Sequence, residues 1–518
     1  MENIPLHKQF NSLGLLLRAT ALRFKEHPAV IFHHQITSYK QLESLSNQIA
    51  NFICNKGIEK GDRIGLYCIN SPYFVAAYFG IVKTGAIVVP INLLLSAEEI
   101  QFILSDSGAK GLFYFDALEN NVRAIKDKLT AMKFMVAVGK PSIQESIPIS
   151  EILKDEPYTF EVPPLNQKED LAAVIYTSGT TGQPKGAMLT HRNLLFNVNS
   201  ILQVLKVDER DVFLTVLPLF HAFGATAGMI SPIAVGATIA AVPKFTATEV
   251  AETINETKST IFLGVPSMYK LLADLPDEYI PHFRSLRFCI SGGDAMPLET
   301  LKKFEEKYNV LIYEGDGPTE CSPVTAVNPI GGKRKIGSIG KAVPGVDIKI
   351  VDDDGKELKT GEVGEIVVKG ENVMKGYFKR EEETKEAFFG DYFRTGDLGY
   401  KDEDDYFYIV DRKKDMIIVS GMNVYPRMVE NVIARHPAVS EVAVVPATHP
   451  LHGEVPRAVI VLKPGQTTTA KEVIHFCSKH LGRHEVPRIV EFVSALPKTP
   501  TGKVLKRELR SGMKKFHD

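Results

Sequence analysis

The stretch LAAVIYTSGTTGQPKGAMLTH, residues 171–191, joins an apolar run to a loop rich in glycine, serine, threonine and lysine. Residues 171–175 are apolar throughout, as parallel strands are when helices cover both faces of their sheet. The loop that follows can approach an anion closely, offer it backbone N–H groups and add hydroxyls and a lysine. The stretch therefore predicts a buried strand that ends in a phosphate-binding loop, with an ordinary flexible turn as the alternative.

Three well-known glycine motifs do not account for this loop. A Walker A loop needs a Gly-Lys pair followed by Ser or Thr, and no Gly-Lys pair in the chain has one. The Gly-x-Gly at Gly315 and Gly317 has Glu320 where a dinucleotide-binding fingerprint requires glycine. The Gly-x-Ser-x-Gly elbow of the α/β-hydrolases is absent from the sequence. The loop thus belongs to none of these classes.

Short apolar, β-branched runs alternate with helix-period segments over most of the chain. Residues 41–52 place their apolar side chains on one face, which predicts an amphipathic helix before a strand at 63–67. Further buried strands are predicted at 86–89, 172–176, 212–216, 237–242 and 286–290. The predicted fold class is α/β with doubly wound subdomains, in which loops at the strand ends carry the chemistry.

From about residue 347 the alternation of helix and strand patterns gives way to strand and turn patterns. These predict a small β subdomain with strands at 347–351 and 365–368. After the basic run 412–414 about 100 residues remain, which is enough for a compact second domain. They contain predicted helices at 470–481 and 504–510 and predicted strands at 442–446 and 458–462. The sequence therefore predicts a large domain over residues 1–411 and a small α+β domain over 412–518.

The composition excludes several classes of protein. A chain of 518 residues with 44% hydrophobic and 24% charged residues is globular and too long for one core. A formal net charge of −1 creates no field that would attract nucleic acid or an anionic membrane. Five scattered cysteines without a CxxC pair suit reduced thiols in the cytosol. No secretory signal pattern and no membrane-spanning apolar segment are recognisable, so we expect a cytoplasmic protein.

Seven motifs follow one another in an order that resembles the adenylate-forming superfamily, which includes acyl-CoA synthetases, nonribosomal adenylation domains and firefly luciferase. They occupy residues 176–186, 218–221, 291–293, 317–320, 392–397, 411–415 and 500–503. The match is collinear and spans most of the chain. The overall texture and the ending PKTPTGK at 497–503 are most similar to bacterial medium- or long-chain fatty acyl-CoA ligases.

The resemblance implies ATP-dependent activation of a fatty acid to an acyl-adenylate, with release of pyrophosphate, and then transfer to CoA to give acyl-CoA and AMP. It implies Mg²⁺ as cofactor, and ATP, fatty acid and CoA as the small-molecule partners. Two alternatives stay open: a synthetase that loads a carrier protein, and a catalytically idle homologue that only binds nucleotide or acyl groups. A homodimer and peripheral contact with a membrane also stay open.

Residues 212–236 contain no Asp, Glu, Lys or Arg. An unpaired buried charge would be costly there, so an acyl pocket in this stretch favours an uncharged chain. The same apolar residues fit a plain hydrophobic core equally well. By resemblance, the acyl pocket would comprise Phe220, His221, Phe223, Gly224 and Gly292.

The resemblance also implies roles for individual polar residues. Catalysis would rest on Thr177, His221, Glu320 and Lys503, with Glu320 as the carboxylate ligand of Mg²⁺. Lys503 would bridge the attacking carboxylate and the α-phosphate. The nucleotide would be bound by Thr177, Ser178, Gly179, Thr180, Thr181, Lys185, Gly292, Gly293, Asp294, Gly315, Asp316, Gly317, Thr319, Asp397, Arg412 and Lys503.

The small domain would act as a mobile lid. By resemblance it would rotate about Lys414 between the two half-reactions, and a segment after the hinge, Ser420, Gly421 and Met422, would bind CoA. One departure concerns Asp316, where the superfamily usually has an aromatic residue that stacks on adenine. Asp294 replaces a small residue nearby. Both changes bear on how the base is bound.

Overall fold

The computed structural model describes residues 4–177, 183–449, 452–498 and 504–511. The chain forms two compact units of unequal size. The larger unit consists of Met1–Ile348 and Val368–Phe393, and the smaller one of Lys349–Val367 and Arg394–Asp518. Among the described residues, no helix combines the length and the apolar character needed to cross a membrane.

The strands are numbered in chain order. Those up to residue 342 are β1 (Pro28–Phe32), β2 (Gln35–Ser38), β3 (Arg63–Tyr67), β4 (Ile87–Pro90), β5 (Ala109–Phe115), β6 (Phe134–Val138), β7 (Ser146–Pro148), β8 (Leu171–Thr177), β9 (Lys185–Thr190), β10 (Val212–Thr215), β11 (Thr238–Ala241), β12 (Ile261–Gly264), β13 (Phe288–Ser291), β14 (Ile312–Asp316), β15 (Ala326–Val327) and β16 (Lys341–Ala342). The later strands are β17 (Asp347–Val351), β18 (Gly364–Lys369), β19 (Phe388–Phe389), β20 (Tyr392–Lys401), β21 (Phe407–Arg412), β22 (Ile417–Val419), β23 (Met422–Val424), β24 (Val439–His449), β25 (Gly453–Leu462) and β26 (Ile489–Phe492).

The α-helices separate most of these strands. They are α1 (Leu6–Gln9), α2 (Leu13–Phe24), α3 (Tyr39–Asn55), α4 (Pro72–Lys83), α5 (Ala97–Ser107), α6 (Glu119–Ile125), α7 (Ile149–Asp155), α8 (His191–Leu205), α9 (Ala222–Ala225), α10 (Ser231–Val235), α11 (Ala247–Thr257), α12 (Pro266–Ala273), α13 (Leu298–Tyr308), α14 (Glu381–Glu386), α15 (Pro426–Ile433), α16 (Ala470–Ser478) and α17 (Lys506–Ser511). A π-helical turn, Thr226–Ile230, joins α9 to α10.

Two large sheets organise the first unit. One has the strand order β7-β6-β5-β3-β4-β8-β9 and the other β16-β15-β14-β13-β12-β10-β11-β1-β2. Strands β3 to β8 of the first sheet pair in parallel, and β9 runs antiparallel to β8. In the second sheet the pairings from β14 through β12 and β10 to β1 are parallel. Apolar side chains fill the space between these sheets and their helices. The predicted α/β class is confirmed.

The later strands form two smaller sheets. One has the order β17-β18-β20-β19, with β21 paired to β20. The other lies in the second unit, with the order β23-β22-β25-β24 and β26 paired to β25. Its core is formed with helices α15 and α16. The predicted domain boundary between residues 411 and 412 was placed where the small domain is expected to rotate, and it stays a prediction.

The elements predicted from local sequence patterns lie close to observed ones. Strands β3 and β17 have the predicted bounds, and α3 contains the predicted helix, with Leu42, Ile49 and Phe52 buried. Helix α16 ends at Ser478 and not at the predicted residue 481, because the N–H groups of Lys479 and His480 bond to carbonyls three residues back, at Phe476 and Cys477, and not four as in an α-helix. Helix α17 begins at Lys506 and not at residue 504, because Val504 pairs with Lys498 in a β-bridge.

His191 is the first residue of α8 and is fully buried. The backbone N–H of Leu13 donates to its Nδ1 at 3.3 Å, so the neutral ring carries its proton on Nε2. Burial lowers the pKa of His191 to about 4. The positive charge of Lys60 also lowers this pKa, whereas the negative charge of Asp170 raises it. Folding therefore keeps this histidine neutral at pH values where an exposed histidine is charged.

We expect His191→Asn to reduce the acid sensitivity of folding. Between about pH 6.5 and pH 4 the unfolded chain binds a proton at His191 that the folded chain does not, so the free energy of unfolding falls as the pH is lowered. From pH 7 to pH 5 the loss is about 2 kcal/mol. The melting temperature of the wild type should thus fall more over this range than that of the variant.

The matched control is His34→Asn, because the side chain of His34 is 80% exposed and its 3.4 Å ion pair with Glu256 is an exposed one, of the kind that contributes little to stability. This variant should keep the pH dependence of the wild type. If His191→Asn and the wild type lose the same stability between pH 7 and pH 5, His191 is not the group that titrates.

Candidate functional site

The end of β8 places three predicted site residues together in the larger unit. Thr177, the last residue of β8, pairs with Lys185, the first residue of β9. The Oγ1 of Thr177 donates a hydrogen bond of 3.2 Å to Oε1 of Glu320, a residue 143 positions further along the chain. Glu320 is half-buried in the 3₁₀ turn Thr319–Cys321. The strand before the predicted phosphate loop therefore contacts the predicted metal ligand.

Tyr377 is a fourth member of this group, and it lies in none of the seven sequence motifs. Its Oη donates to the same Oε1 of Glu320 at 3.0 Å. The Nζ of Lys185 lies 5.5 Å from the centroid of the Tyr377 ring, within the range of a cation–π contact. Burial, together with the neighbouring Glu320 carboxylate, raises the pKa of the Tyr377 phenol above its usual range. No local sequence pattern marks this residue, because its partners are distant in the chain.

The ends of β13 and β14 bring two groups of predicted residues into contact. These neighbouring parallel strands end at Ser291 and Asp316, so Gly292 and Gly315 lie side by side. A methyl group at Gly292 would lie 3.2 Å from Cε1 of Phe223 and 3.3 Å from the carbonyl oxygen of Gly315. The predicted acyl pocket and the predicted nucleotide loop thus meet at Gly292, where a side chain would crowd both.

The surroundings of Asp316 bear on how a base could be bound. Its backbone carbonyl accepts hydrogen bonds from the N–H and the Oγ1 of Thr325 at 3.0 and 3.1 Å. Tyr313 is only 6% exposed and its ring packs against Phe288, with the Arg334 guanidinium 5.7 Å from the ring centroid. This burial argues against Tyr313 as a substitute for an aromatic residue at position 316. Asp294 is exposed and accepts the N–H of Ala295.

His221 is the N-cap of the short helix α9. Its Nδ1 accepts the N–H of Phe223 at 3.4 Å, and its side chain is exposed. Phe220 is buried and Phe223 half-buried, while a methyl group at Gly224 would collide with the carbonyl of Pro218. The π-helical turn that follows α9 is a form often found at functional sites.

In the second unit, Asp397 and Arg412 face each other on β20 and β21. The Nε of Arg412 lies 2.7 Å from Oδ1 of Asp397. The Asp397 side chain is 8% exposed and that of Arg412 is 40% exposed. The two residues, both predicted to bind the nucleotide, are therefore adjacent, and the guanidinium orients the carboxylate.

The predicted hinge and CoA-binding residues also lie in the second unit. Lys414 belongs to the 3₁₀ turn Lys413–Asp415, and its carbonyl accepts a 3.3 Å hydrogen bond from Arg510. Ser420 and Gly421, both with positive φ, form the tight turn between β22 and β23. The Oγ of Ser420 lies 2.7 Å from Nδ1 of His452. Met422 is 47% exposed.

Several predicted residues lie outside the described part of the chain. Lys498 and Val504, which flank residues 499–503, pair with each other in an antiparallel β-bridge. Helix α17, just beyond, is anchored by an ion pair of 2.8 Å between Lys506 and the half-buried Glu430. The predicted residues without a description are Ser178, Gly179, Thr180, Thr181 and Lys503.

A protein-only metal centre is absent from the described ranges, where no group of three or more His, Cys, Asp and Glu side chains could hold an ion. Glu320 with Thr177 offers instead one carboxylate and one hydroxyl oxygen. Mg²⁺ is commonly held by one or two carboxylates together with substrate phosphates. These residues therefore fit a magnesium ion that is bound together with a nucleotide.

The two sheets of the larger unit, the glycine-rich strand ends and the smaller C-terminal unit define the class of adenylate-forming enzymes. The chain belongs to the AMP-binding enzyme family, whose model matches residues 17–378. The model of the AMP-binding enzyme C-terminal domain matches residues 428–503.

Named relatives cover nearly the whole chain. It is 34% identical to a long-chain-fatty-acid–CoA ligase of Bacillus subtilis, over 98% of this chain and 95% of the relative. It is 36% identical to the long-chain-fatty-acid–CoA ligase FadD13 of Mycobacterium tuberculosis, over 91% and 92%. Among solved structures, the anthranilate CoA ligase AuaEII in complex with anthranoyl-AMP superposes with a TM-score of 0.91 at 31% identity, covering 99% of this chain and 98% of that one.

Proposed function

We propose that this chain is an AMP-forming acid–CoA ligase that acts on fatty acids. The observation that carries the proposal is the Thr177–Glu320 hydrogen bond, which joins the strand before the phosphate loop to the Gly-Pro-Thr-Glu loop. Family membership and the identity to long-chain-fatty-acid–CoA ligases over nearly the whole chain support it.

The first half-reaction joins a carboxylate oxygen of the acid to the α-phosphorus of ATP and releases pyrophosphate. Its obstacle is repulsion between an anionic nucleophile and a polyanion, so cations and fixed donors must face the developing charge. Lys185, Thr177 and the residues 178–181 would hold the β- and γ-phosphates. Lys503 would contact both the carboxylate and the α-phosphate. Asp397 would accept hydrogen bonds from the ribose hydroxyls.

Glu320 would hold Mg²⁺, with the phosphates as the other ligands. When bound, the ion neutralises phosphate charge and supports the departure of pyrophosphate. The chain's own contribution is a carboxylate whose orientation is set by hydrogen bonds from Thr177 and Tyr377.

The second half-reaction forms the thioester. The CoA sulfur attacks the acyl carbon, the bond to the phosphate oxygen breaks, and AMP leaves. Lys503 and the CoA-binding turn at Ser420 and Gly421 both belong to the C-terminal part of the chain, so one lid position cannot serve both steps. We infer that the C-terminal part rotates about Lys414 between the half-reactions. Lid movements of this kind complete the active site of many enzymes.

The acyl substrate is assigned to the fatty acids because residues 212–236 provide no charged partner. Phe223, which lies against Gly292, would form the end of the pocket nearest the nucleotide. The similarity to an anthranilate ligase makes small aromatic acids the main competing class. ATP and CoA are intracellular substrates, and the proposal places the protein in the cytoplasm.

The test is a panel of C2 to C18 fatty acids and aromatic acids, with Mg²⁺, ATP and CoA, scored by AMP release and acyl-CoA formation. We expect AMP and acyl-CoA in equal amounts, with the highest kcat/KM for a fatty acid. A higher kcat/KM for benzoate or anthranilate would reassign the acyl class while keeping the reaction.

Two other outcomes would reject the proposed acceptor or the activity itself. Acid-dependent pyrophosphate exchange without acyl-CoA, but with loading of a phosphopantetheinylated carrier protein, would identify a carrier-loading synthetase. ATP binding without pyrophosphate exchange for any acid would identify a homologue without catalysis.

A further inference from the structure

Tyr377 lies outside all seven recognised motifs but inside the candidate site. Its segment runs along the edge of β9 that does not pair with β8. The N–H of Met188 donates to the carbonyl of Gly376 at 2.9 Å, and the N–H of Phe378 donates to that of Gly186 at 2.8 Å. Backbone hydrogen bonds therefore attach Tyr377 to the strand that follows the phosphate loop.

The Tyr377 backbone is also fixed on its other side. Its N–H donates to Oγ1 of Thr384 at 2.9 Å, and Thr384 Oγ1 in turn donates to the carbonyl of Arg380. Gly376, just before it, has a φ of 140°, and a methyl group there would lie 2.7 Å from Cγ2 of Thr384. This close turn restricts where the ring of Tyr377 can lie.

The Tyr377 side chain links two groups that act on the same ligand. Its hydroxyl donates to Oε1 of Glu320 at 3.0 Å, where Thr177 also donates at 3.2 Å. Among the described residues, none donates a hydrogen bond to Oε2 of Glu320. The face of the ring lies 5.5 Å from Nζ of Lys185. The hydroxyl of Tyr377 thus contacts the carboxylate of Glu320, and its ring contacts the ammonium group of Lys185.

We propose that Tyr377 is a positioning residue that orients Glu320 toward the magnesium ion of the Mg–ATP substrate. Two donors on Oε1 fix the carboxylate and leave Oε2 to face the ion. Partners of this kind commonly change metal affinity by 10- to 100-fold when they are removed. The inference rests on the proposed function, because it takes Glu320 as the metal ligand.

The test measures ATP binding by isothermal titration calorimetry, without acid or CoA, once with Mg²⁺ and once with EDTA. The quantity of interest is the ratio of the two affinities, which reports how far the ion strengthens nucleotide binding. Tyr377→Phe keeps the ring beside Lys185 and removes only the hydroxyl. We expect this variant to lower the ratio by about tenfold or more while the affinity in EDTA stays unchanged.

Tyr377→Leu removes the ring as well. It should lower the ratio in the same way and also weaken ATP binding in EDTA, because Lys185 loses its aromatic contact. Tyr114→Phe is the matched control, since Tyr114 also donates to a carboxylate, Oε1 of Glu119 at 3.3 Å, in the same unit. Its ratio should equal that of the wild type.

Glu320→Gln separates this inference from the proposed function. If Glu320→Gln leaves the ratio unchanged, the assignment of Glu320 as metal ligand is wrong and the proposed function loses that part. If Glu320→Gln lowers the ratio and Tyr377→Phe does not, only the positioning role fails. A higher ratio in Tyr377→Phe, or equal losses with Mg²⁺ and EDTA, would also overturn it, since the phenol would then compete with the ion or act structurally.

Discussion

Lys503→Ala should lower fatty-acid-dependent exchange of pyrophosphate into ATP by about 10²- to 10³-fold, the usual cost of removing one donor to a developing charge. The second half-reaction, from supplied acyl-adenylate and CoA, should keep its wild-type rate. The reason for the split is that the repulsion between carboxylate and phosphate exists only in the first step. The two half-reactions are measured separately, by isotope exchange and by thioester formation.

The control is Lys498→Ala, which removes a lysine of the same segment. Lys498 forms a partly exposed ion pair with Glu441 at 2.8 Å, and such pairs contribute little to stability. The anchor of α17, the Lys506–Glu430 pair, is untouched by either change. Equal losses in both half-reactions of Lys503→Ala would contradict a role confined to adenylation.

Lys414→Pro should produce the opposite pattern. Proline fixes φ and disfavours the helical region for the residue before it, so a rotation about position 414 becomes costly. If proline raises the free energy of the lid conformation needed for thioester formation by about 3 kcal/mol, overall acyl-CoA formation falls by about 10²-fold. A first burst of pyrophosphate remains. Rapid-quench measurements of pyrophosphate and acyl-CoA in a single turnover separate the two.

Lys414→Ala is the matched control, because it removes the same side chain but leaves the backbone free to rotate. The carbonyl of Lys414, which accepts the hydrogen bond from Arg510, is present in both variants. The alanine variant should keep both half-reactions. An unchanged turnover in Lys414→Pro would show that position 414 is not the hinge.

The two sets of variants are informative together. Lys503→Ala is expected to lose the first step and keep the second, and Lys414→Pro is expected to keep the first and lose the second. A protein that carried out both steps in one fixed arrangement would not give this reciprocal result.

The elements that sequence patterns located well are those whose signal is local. Strand β3 was predicted with its observed bounds because a short run with strand character follows the helix-period segment 41–52. The ends of α16 and α17 were less accurate. Val504 was assigned to a helix, but its bridge with Lys498 depends on a pairing that propensity does not encode.

The candidate site divides in the same way. The residue types of the phosphate loop indicated phosphate binding, because this loop carries its own glycines, hydroxyls and lysine. The magnesium role of Glu320 came instead from the resemblance of the Gly-Pro-Thr-Glu loop to the adenylate-forming family, and it stays a prediction. The ion pair between Asp397 and Arg412 was not predicted as a pair. It follows from the register of β20 and β21, which sets those two residues opposite each other.

The sequence by itself therefore determined the α/β class, the order of the motifs and the kinds of groups available to a phosphate. The tertiary structure alone decided that Thr177 and Tyr377 both contact Glu320, and that Lys185 lies beside the ring of Tyr377. The physical reason is distance along the chain: Tyr377 lies 57 residues and Thr177 lies 143 residues from Glu320. Side-chain periodicity acts within one element, whereas contacts across such separations arise only when β9 pairs with β8 on one edge and with the Tyr377 segment on the other.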